Sequence, residues 1–262
     1  MTIGAADISD ALERLGVRSA DTLFVHSGLR SSLRVAGATA HEKLATVLEG
    51  LRGAVPAGTL VLPTFSYSFC RGEVFDVDAT PSTVGALSEW FRRRQGVRRT
   101  AEPIFSAAVE GPVAAEWNAP LFTVSDKDCF GPESIFAYLR ATEAKLLFYG
   151  VGFESCTYVH HVEQTLGVGY RYVKDFAGTV RAGGVQAHVT ARYFVRNLDD
   201  DVEVYLSPLG ERLQCRGGAQ TVVLPGGPRL LLTNAAAVGA EVERALAENA
   251  DFLLRRGHVT AA

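Results

Sequence analysis

The chain has 262 residues, of which 47% are hydrophobic and 21% charged, and its formal net charge is −3. That length suits one large domain, 1–262, or a core with a smaller appendage. The charge leaves no basic footprint for nucleic acid, and no apolar run approaches the ~20 residues that span a bilayer.

The opening residues Met1–Asp7 lack the basic-then-apolar layout of a signal peptide. The four cysteines, Cys70, Cys129, Cys156 and Cys215, form no CxxC pair, which points to a reduced, cytoplasmic protein without a thiolate metal site.

In chain order, Ile8, Ala11, Leu12 and Leu15 have helical spacing, and Gly16 stands where that helix would stop. Residues 21–26 read as a strand. A hydroxyl- and arginine-rich loop follows from Ser27 to Arg34. Thr39 and Glu42 have capping-box spacing ahead of Leu44, Val47, Leu48 and Leu51, so a helix is predicted from Ala40 to Gly53. Residues 59–64 read as a second buried strand, and Phe65 to Asp78 as an aromatic-rich loop. Thr80-Pro81 is predicted to open a helix, because proline is tolerated in a first turn. Residues 104–109 have strand character, and a helix is predicted from Ser134 to Thr142.

Lys145–Val151 is a further short apolar run, read as a buried strand. Two glycines lead from it to Thr157, Tyr158 and beyond, where Ser155 or Thr157 can cap a helix. Past residue 175 the character changes to alternating runs punctuated by glycine pairs. Residues 176–233 therefore read as an antiparallel β-rich insertion or subdomain. Asn234 can cap a last helix running to Arg256.

Thr157, His160 and Glu163 fall at i, i+3 and i+6, on one helical face, beyond a strand end, where open α/β sheets place ligands. An imidazole is the ordinary proton acceptor at neutral pH, and a carboxylate on its second nitrogen fixes the tautomer. An i, i+3 pair is not ideal for that bond, so the orienting carboxylate is left open. The competing reading is a half-exposed helix with solvated histidines. His161 points away and reads as structural. The Ser27–Arg34 loop suits a pyrophosphate or phosphate, against the alternative of a polar surface loop. No GxxxxGKS/T is present, and no metal spacing such as HExxH, so no catalytic metal is expected. Cys156 near His160 raises a Cys–His nucleophile as the rival chemistry, set against a small buried residue.

Six blocks in order carry a family resemblance. They are residues 25–33 and 58–64; Phe75-Asp76 with 80–89; 99–106; 130–134; and 147–151 leading into Thr157–Glu163. Over residues 5–175 the chain resembles the aminoglycoside 3-N-acetyltransferase family, also called the antibiotic N-acetyltransferase family. The resemblance implies an α/β fold, a three-layer α/β/α sandwich unrelated to the common acetyltransferase fold, here with a β-rich C-terminal insertion. It implies acetyl-CoA as donor and an amino-sugar amine as acceptor. Carried over, His160 is the general base, with Thr157 and Glu163 as companions. His26, Ser27, Arg30, Ser31, Ser32, Val35 and Ser106 are expected at the cofactor. Asp76, Thr80, Glu102 and Tyr67 are expected on the acceptor side. A homodimer is left open.

The chain departs from the family pattern at Glu102, where His-Pro is usual, and at Gly28, where His-Ser-Ser is usual. The loop between Thr64 and Phe75 carries only Arg71 and Glu73 as charges. A polycationic drug needs several carboxylates, so a less charged amino sugar, nucleotide-linked or from a natural product, is the preferred acceptor. Asp199, Asp200 and Asp201 are the acidic residues that could compensate. The rivals are a Cys156/His160 acyl-enzyme hydrolase or acyltransferase and a catalytically silent CoA-binding protein.

Overall fold

The computed structural model describes residues 2–29, 34–115, 120–197 and 202–256. In chain order its elements begin α1 (Ala5–Arg14), β1 (Thr22–Ser27), α2 (Ala40–Ala54), β2 (Thr59–Pro63), β3 (Phe75–Asp76), α3 (Ala86–Phe91), β4 (Arg98–Arg99) and β5 (Ala107–Glu110). They continue β6 (Lys127–Asp128), α4 (Ile135–Ala141), β7 (Lys145–Tyr149), α5 (Tyr158–Leu166), β8 (Arg171–Ala182), β9 (Val185–Arg196) and β10 (Val202–Val204). The last are α6 (Ser207–Cys215), β11 (Gln220–Val223), β12 (Arg229–Asn234), α7 (Ala235–Glu248) and β13 (Leu254–Arg256).

The central sheet has the order β11-β12-β7-β1-β2-β5-β4. β7, β1 and β2 are parallel, and the flanking pairs are antiparallel. Its inner strands β7, β1 and β2 are buried at nearly every position because both faces are covered. The period of two sorts them into layers. Leu23, Val25, Leu60, Leu62 and Leu147 pack against α1, α2 and α3. Phe24, Val61, Leu146 and Phe148 pack against α4, α5, α6 and α7. The result is a three-layer α/β/α sandwich. Gly50 lets α2 approach α1, since a Cβ there would lie 2.6 Å from Ile8 Cβ.

The predicted capping box at Thr39 and Glu42 is present, and the Asn234 side chain accepts the Ala237 amide at 2.8 Å. Four predicted segments differ. The helix expected from Thr80 begins only at Ala86, because residues 80–83 are spent on other partners. Thr80 N–H donates to Asp76 O, Ser82 N–H to Glu89, and Thr83 to Phe65 O. The strand expected from Ile104 begins at Ala107, because the Glu102 carboxylate folds the chain by accepting the Ile104 and Phe105 amides. The helix expected to reach Arg256 stops at Glu248. There Asn249 turns extended and accepts the Asp251 amide at 3.0 Å, and the chain returns as β13 against β10.

Residues 176–233 are shared among four places, one of them the separate β10–β13 pair. β8 and β9 form a long hairpin in a second sheet of order β3-β8-β9-β6. α6 buries Leu209 and Leu213 in the core, and β11 with β12 extends the central sheet. Leu206, Leu209 and Leu213 have helical spacing, which alternation in the neighbouring strands masks.

Candidate active site

β1 and β7 run side by side with His26 opposite Phe148 and Ser27 opposite Tyr149. Both strands end at the same edge, where Gly28 N–H donates to Tyr149 O at 2.8 Å. From β7 the chain leaves through Gly150, which has a positive φ of 66°, makes a short turn over Phe153–Ser155, and enters α5. Thr157 stands at the helix start without a side-chain cap, its Oγ1 reaching Ser155 O at 3.4 Å. Gly167, left-handed, ends the helix and sends the chain back toward it.

That return completes the site. The His160 side chain is 20% exposed and that of Glu163 is fully buried, with 2.6 Å between His160 Nδ1 and Glu163 Oε2. The carboxylate that orients the ring is therefore the one on the same helix. It reaches because it is gripped from behind: Tyr170 Oη donates to Oε1 at 2.7 Å, and Arg171 Nε pairs with Oε2 at 2.8 Å. Arg171 also donates through Nη1 to Phe194 O at 3.2 Å, and its Nη2 stands 3.0 Å from His160 Nδ1. Burial alone would raise the Glu163 pKa. His160, Arg171 and Tyr170 outweigh it and hold the carboxyl below its ordinary range. The ionised oxygen at 2.6 Å favours a proton on Nδ1 and a free Nε2 lone pair, while the Arg171 Nη2 donor at 3.0 Å favours the opposite tautomer. His160 stands edge-on to Phe130, 5.7 Å away. Phe130 packs on Phe105, and Phe105 on Tyr67, so a row of rings joins Tyr67 to His160.

The other expected site residues fall into separate groups. Burial holds His26 at a pKa of about 3. Its neutral ring stacks on Phe148 and its Nε2 has no hydrogen-bond partner, so it offers no charge to a phosphate. Ser27 ends β1 half-buried, close to Gly85. Val35 is buried among α1 and α2 and bridges Ile3, so its side chain faces the core rather than a ligand. Arg30, Ser31, Ser32 and Asp199, Asp200 and Asp201 lie outside the described residues.

Ser106 is fully buried in a knot around Arg99. Arg99 Nε donates to Thr64 Oγ1 and Ser106 Oγ at 3.1 and 3.0 Å, and Nη2 donates to Thr64 O at 2.6 Å. The Ser106 hydroxyl is thus turned to the protein. Arg99 Nη1 also holds Thr80 O at 2.5 Å. Thr80 Oγ1 accepts the Asp76 amide, and Asp76 Oδ1 caps the Asp78 and Ala79 amides. Glu102 is buried, and burial raises its carboxyl. The cavity beside it, about 10 Å³, holds no more than one water. Its carboxylate serves its own turn and Cys129, not an acceptor. Cys156 is fully buried and burial pushes its thiol up to about 12. This removes the thiolate that the rival acyl-enzyme chemistry requires. His161 is structural, bonded through Nδ1 to Phe130 O at 2.7 Å.

Sequence reasoning missed Arg99, Tyr170 and Arg171. Gly167 and Gly169 signalled a turn ahead of Tyr170-Arg171. Nothing in the exposed run 172–175 marked its neighbour Arg171 as buried.

The described residues thus define a three-layer α/β/α protein with a histidine–carboxylate pair beyond the end of its central parallel strand. The family model described as aminoglycoside 3-N-acetyltransferase matches residues 24–246, and the chain belongs to that family. An aminoglycoside N(3)-acetyltransferase IV from Salmonella is 32% identical over 171 residues, covering 63% of this chain and 60% of that protein. The chain therefore matches less than two thirds of this curated relative's length. Among solved structures, the aminoglycoside acetyltransferase AAC(3)-Xa superposes with a TM-score of 0.79 at 21% identity, covering 96% of this chain and 94% of its own. AAC-IIIb, in a binary complex with CoASH, gives 0.78 at 19%, covering 99% and 100%. Both likenesses speak to the fold.

Proposed function

We propose that the chain transfers an acetyl group from acetyl-CoA to a primary amine of an aminoglycoside-like amino sugar, with His160 as general base. The observation that carries this is the His160–Glu163–Arg171 arrangement, at the position where the family motif T-x-x-H-x-x-E falls. Family membership supports the donor and the acceptor class.

The acceptor amine is largely protonated at neutral pH and must lose a proton to attack. In the proposed step the neutral amine nitrogen bonds to the thioester carbonyl carbon while His160 Nε2 takes its proton. Glu163 stabilises the imidazolium through Nδ1, and Arg171 keeps the carboxylate ionised and aimed. The oxyanion needs donors already in place. Thr157 Oγ1, held by only a long bond to Ser155 O, is the proposed hydroxyl donor. The C–S bond then breaks, and the thiolate of CoA takes a proton from the imidazolium or solvent. The segment from Ser27 to Val35 is the proposed passage for the pantetheine and phosphates, through its backbone and hydroxyls rather than the His26 or Val35 side chains.

For the acceptor, the proposal is a less charged amino sugar than a polycationic drug. Asp76 is committed to its turn, Glu102 is buried, and Glu73 pairs with Arg71 at 2.8 Å. Thiol release from acetyl-CoA is the test, read across aminoglycosides, nucleotide-linked amino sugars and simple amines. Acetylation of an amino sugar bearing one or two amines at higher kcat/KM than a tetra- or penta-amine supports the proposal. Release with no amine tested would sink it.

A further inference from the structure

We propose that the arginine-lined hollow between the end of α3, β4 and the tip of the β8–β9 hairpin binds a small polyphosphate anion, at a site separate from His160. The hollow measures about 720 Å³, within the range of small-ligand sites. Arg92, Arg93, Arg94, Arg98 and Arg99 line it, together with one acidic residue, Asp78. The sequence accounts for the concentration. Arg92-Arg93-Arg94 closes α3, Gly96 turns the chain with a φ of +83°, and Arg98-Arg99 begins the edge strand.

Three of the five are tied to the protein, Arg92 Nη1 donating to Asp78 O at 2.6 Å, Arg98 Nη1 to Ala114 O at 3.0 Å and Arg99 Nη2 to Thr64 O at 2.6 Å, while Arg93 and Arg94 are exposed at the rim. Glu89, behind the wall, takes Arg92 in a two-pronged pair at 2.6 and 2.8 Å. The same carboxylate also pairs with Arg93, whose side chain is 64% exposed. One negative charge is therefore divided between two guanidinium groups. Arg94 lies 4.9 Å over the Trp90 ring and Arg98 3.8 Å over Phe122. A ring holds a guanidinium by its face, and the N–H donors lie in the guanidinium plane. Arg94 is exposed. Arg99, in the floor, has its pKa lowered to about 10, first by burial and next by Arg92, with Glu89, Asp78 and Asp76 acting against them. The exposed Arg93 and Arg94 therefore stand at the mouth of a hollow whose lining contains one carboxylate, Asp78.

Phosphate chains fit this arrangement better than a single carboxylate, since several charges spaced along a short ligand can each meet an arginine fork. The apolar side, including Val97, Val124 and Val185, offers a surface for an organic group beyond the phosphates. The hollow is remote from the proposed acyl-transfer site. Arg171, which touches His160, opens β8, and Ala182 at the other end of that strand lines the hollow. Eleven strand steps separate them, roughly 35 Å.

The experiment is titration calorimetry of the full chain with inorganic tripolyphosphate, and with ATP in a second arm. One-site binding that weakens as salt rises from about 50 to about 200 mM supports the site. In the Arg93→Gln/Arg94→Gln double variant, affinity should fall by about tenfold or more. Both positions are exposed, so an unchanged thermal melt serves as the folding control. Tighter binding of ATP than of tripolyphosphate would assign the apolar wall to a nucleoside; equal affinity would assign the site to the phosphate chain alone. Absence of saturable binding, equal affinity in the double variant, or displacement of tripolyphosphate by CoA would overturn the proposal. None of these readouts depends on acetyl transfer.

Discussion

Replacing Glu163 with glutamine keeps the shape of the side chain and removes its charge. The buried carboxylate is hydrogen-bonded to His160 Nδ1 and Tyr170 Oη at 2.6 and 2.7 Å and ion-paired with Arg171 Nε at 2.8 Å. A glutamine offers one acceptor oxygen and turns an NH2 toward donors. The Arg171 side chain, only 3% exposed, is then left as a buried charge without its counter-ion. Breaking a buried pair from one side costs about 3–5 kcal/mol. For a chain of this size each kcal/mol lowers the melting temperature by ~2–4 °C, so a fall of roughly 6–20 °C is expected by calorimetry.

Turnover should fall by on the order of 10²–10⁴, as the imidazole loses its tautomer control. His160→Ala is the contrast. It should lower turnover by a similar ~10²–10⁴, yet leave Glu163 paired with Arg171 and Tyr170, and so disturb the melt far less. The carboxyl is also depressed in the folded state. Its stabilisation is complete above the ordinary carboxylate pKa and is lost as pH falls through the lower folded value. The wild type should therefore lose this contribution in acid, and Glu163→Gln should show a flatter acid limb. A Glu163→Gln protein with near-normal turnover and an unshifted melt would refute the reasoning.

Three further outcomes are expected. His26, buried with a pKa of about 3, binds fewer protons folded than unfolded, so stability falls as pH drops from 6.5 toward 3. Its share between pH 7 and 5 is about 2 kcal/mol; urea midpoints should show that dependence removed in His26→Leu, and an identical pH slope would contradict it. Cys156→Ala should keep its turnover, and mass spectrometry of the wild type with acetyl-CoA alone should show no acyl-enzyme; a stable acetyl adduct on Cys156 would restore the rival chemistry. A Cβ at Gly28 would lie 2.6 Å from Val151 Cγ1. Gly28→Ser should thus cost about 1–3 kcal/mol, and Val151→Ala should recover much of it in a double-mutant cycle; no recovery would place the strain elsewhere.

The continuous apolar runs of β1, β2 and β7, the caps at Thr39, Ser134 and Asn234, and the spacing of Thr157, His160 and Glu163 are local. They were legible because period, cap chemistry and turn residues act within a few positions. The three-layer fold was read from ordered motif blocks resembling a family. What stayed hidden depends on contacts between distant segments. Residues 80–83 leave the helix for partners at Phe65, Asp76 and Glu89. Residues 176–233 divide among three sheets and a helix. The Ser106 hydroxyl is taken up by Arg99.

The sequence by itself determined which helical face carries the imidazole and the carboxylate. Only the tertiary structure decided that the two meet, because the bond depends on Tyr170 and Arg171 returning past Gly167 to grip Glu163 from behind. Strand burial and ion pairing of that kind arise when the chain closes on itself, and a lone arginine in an exposed strand gives no local sign of it.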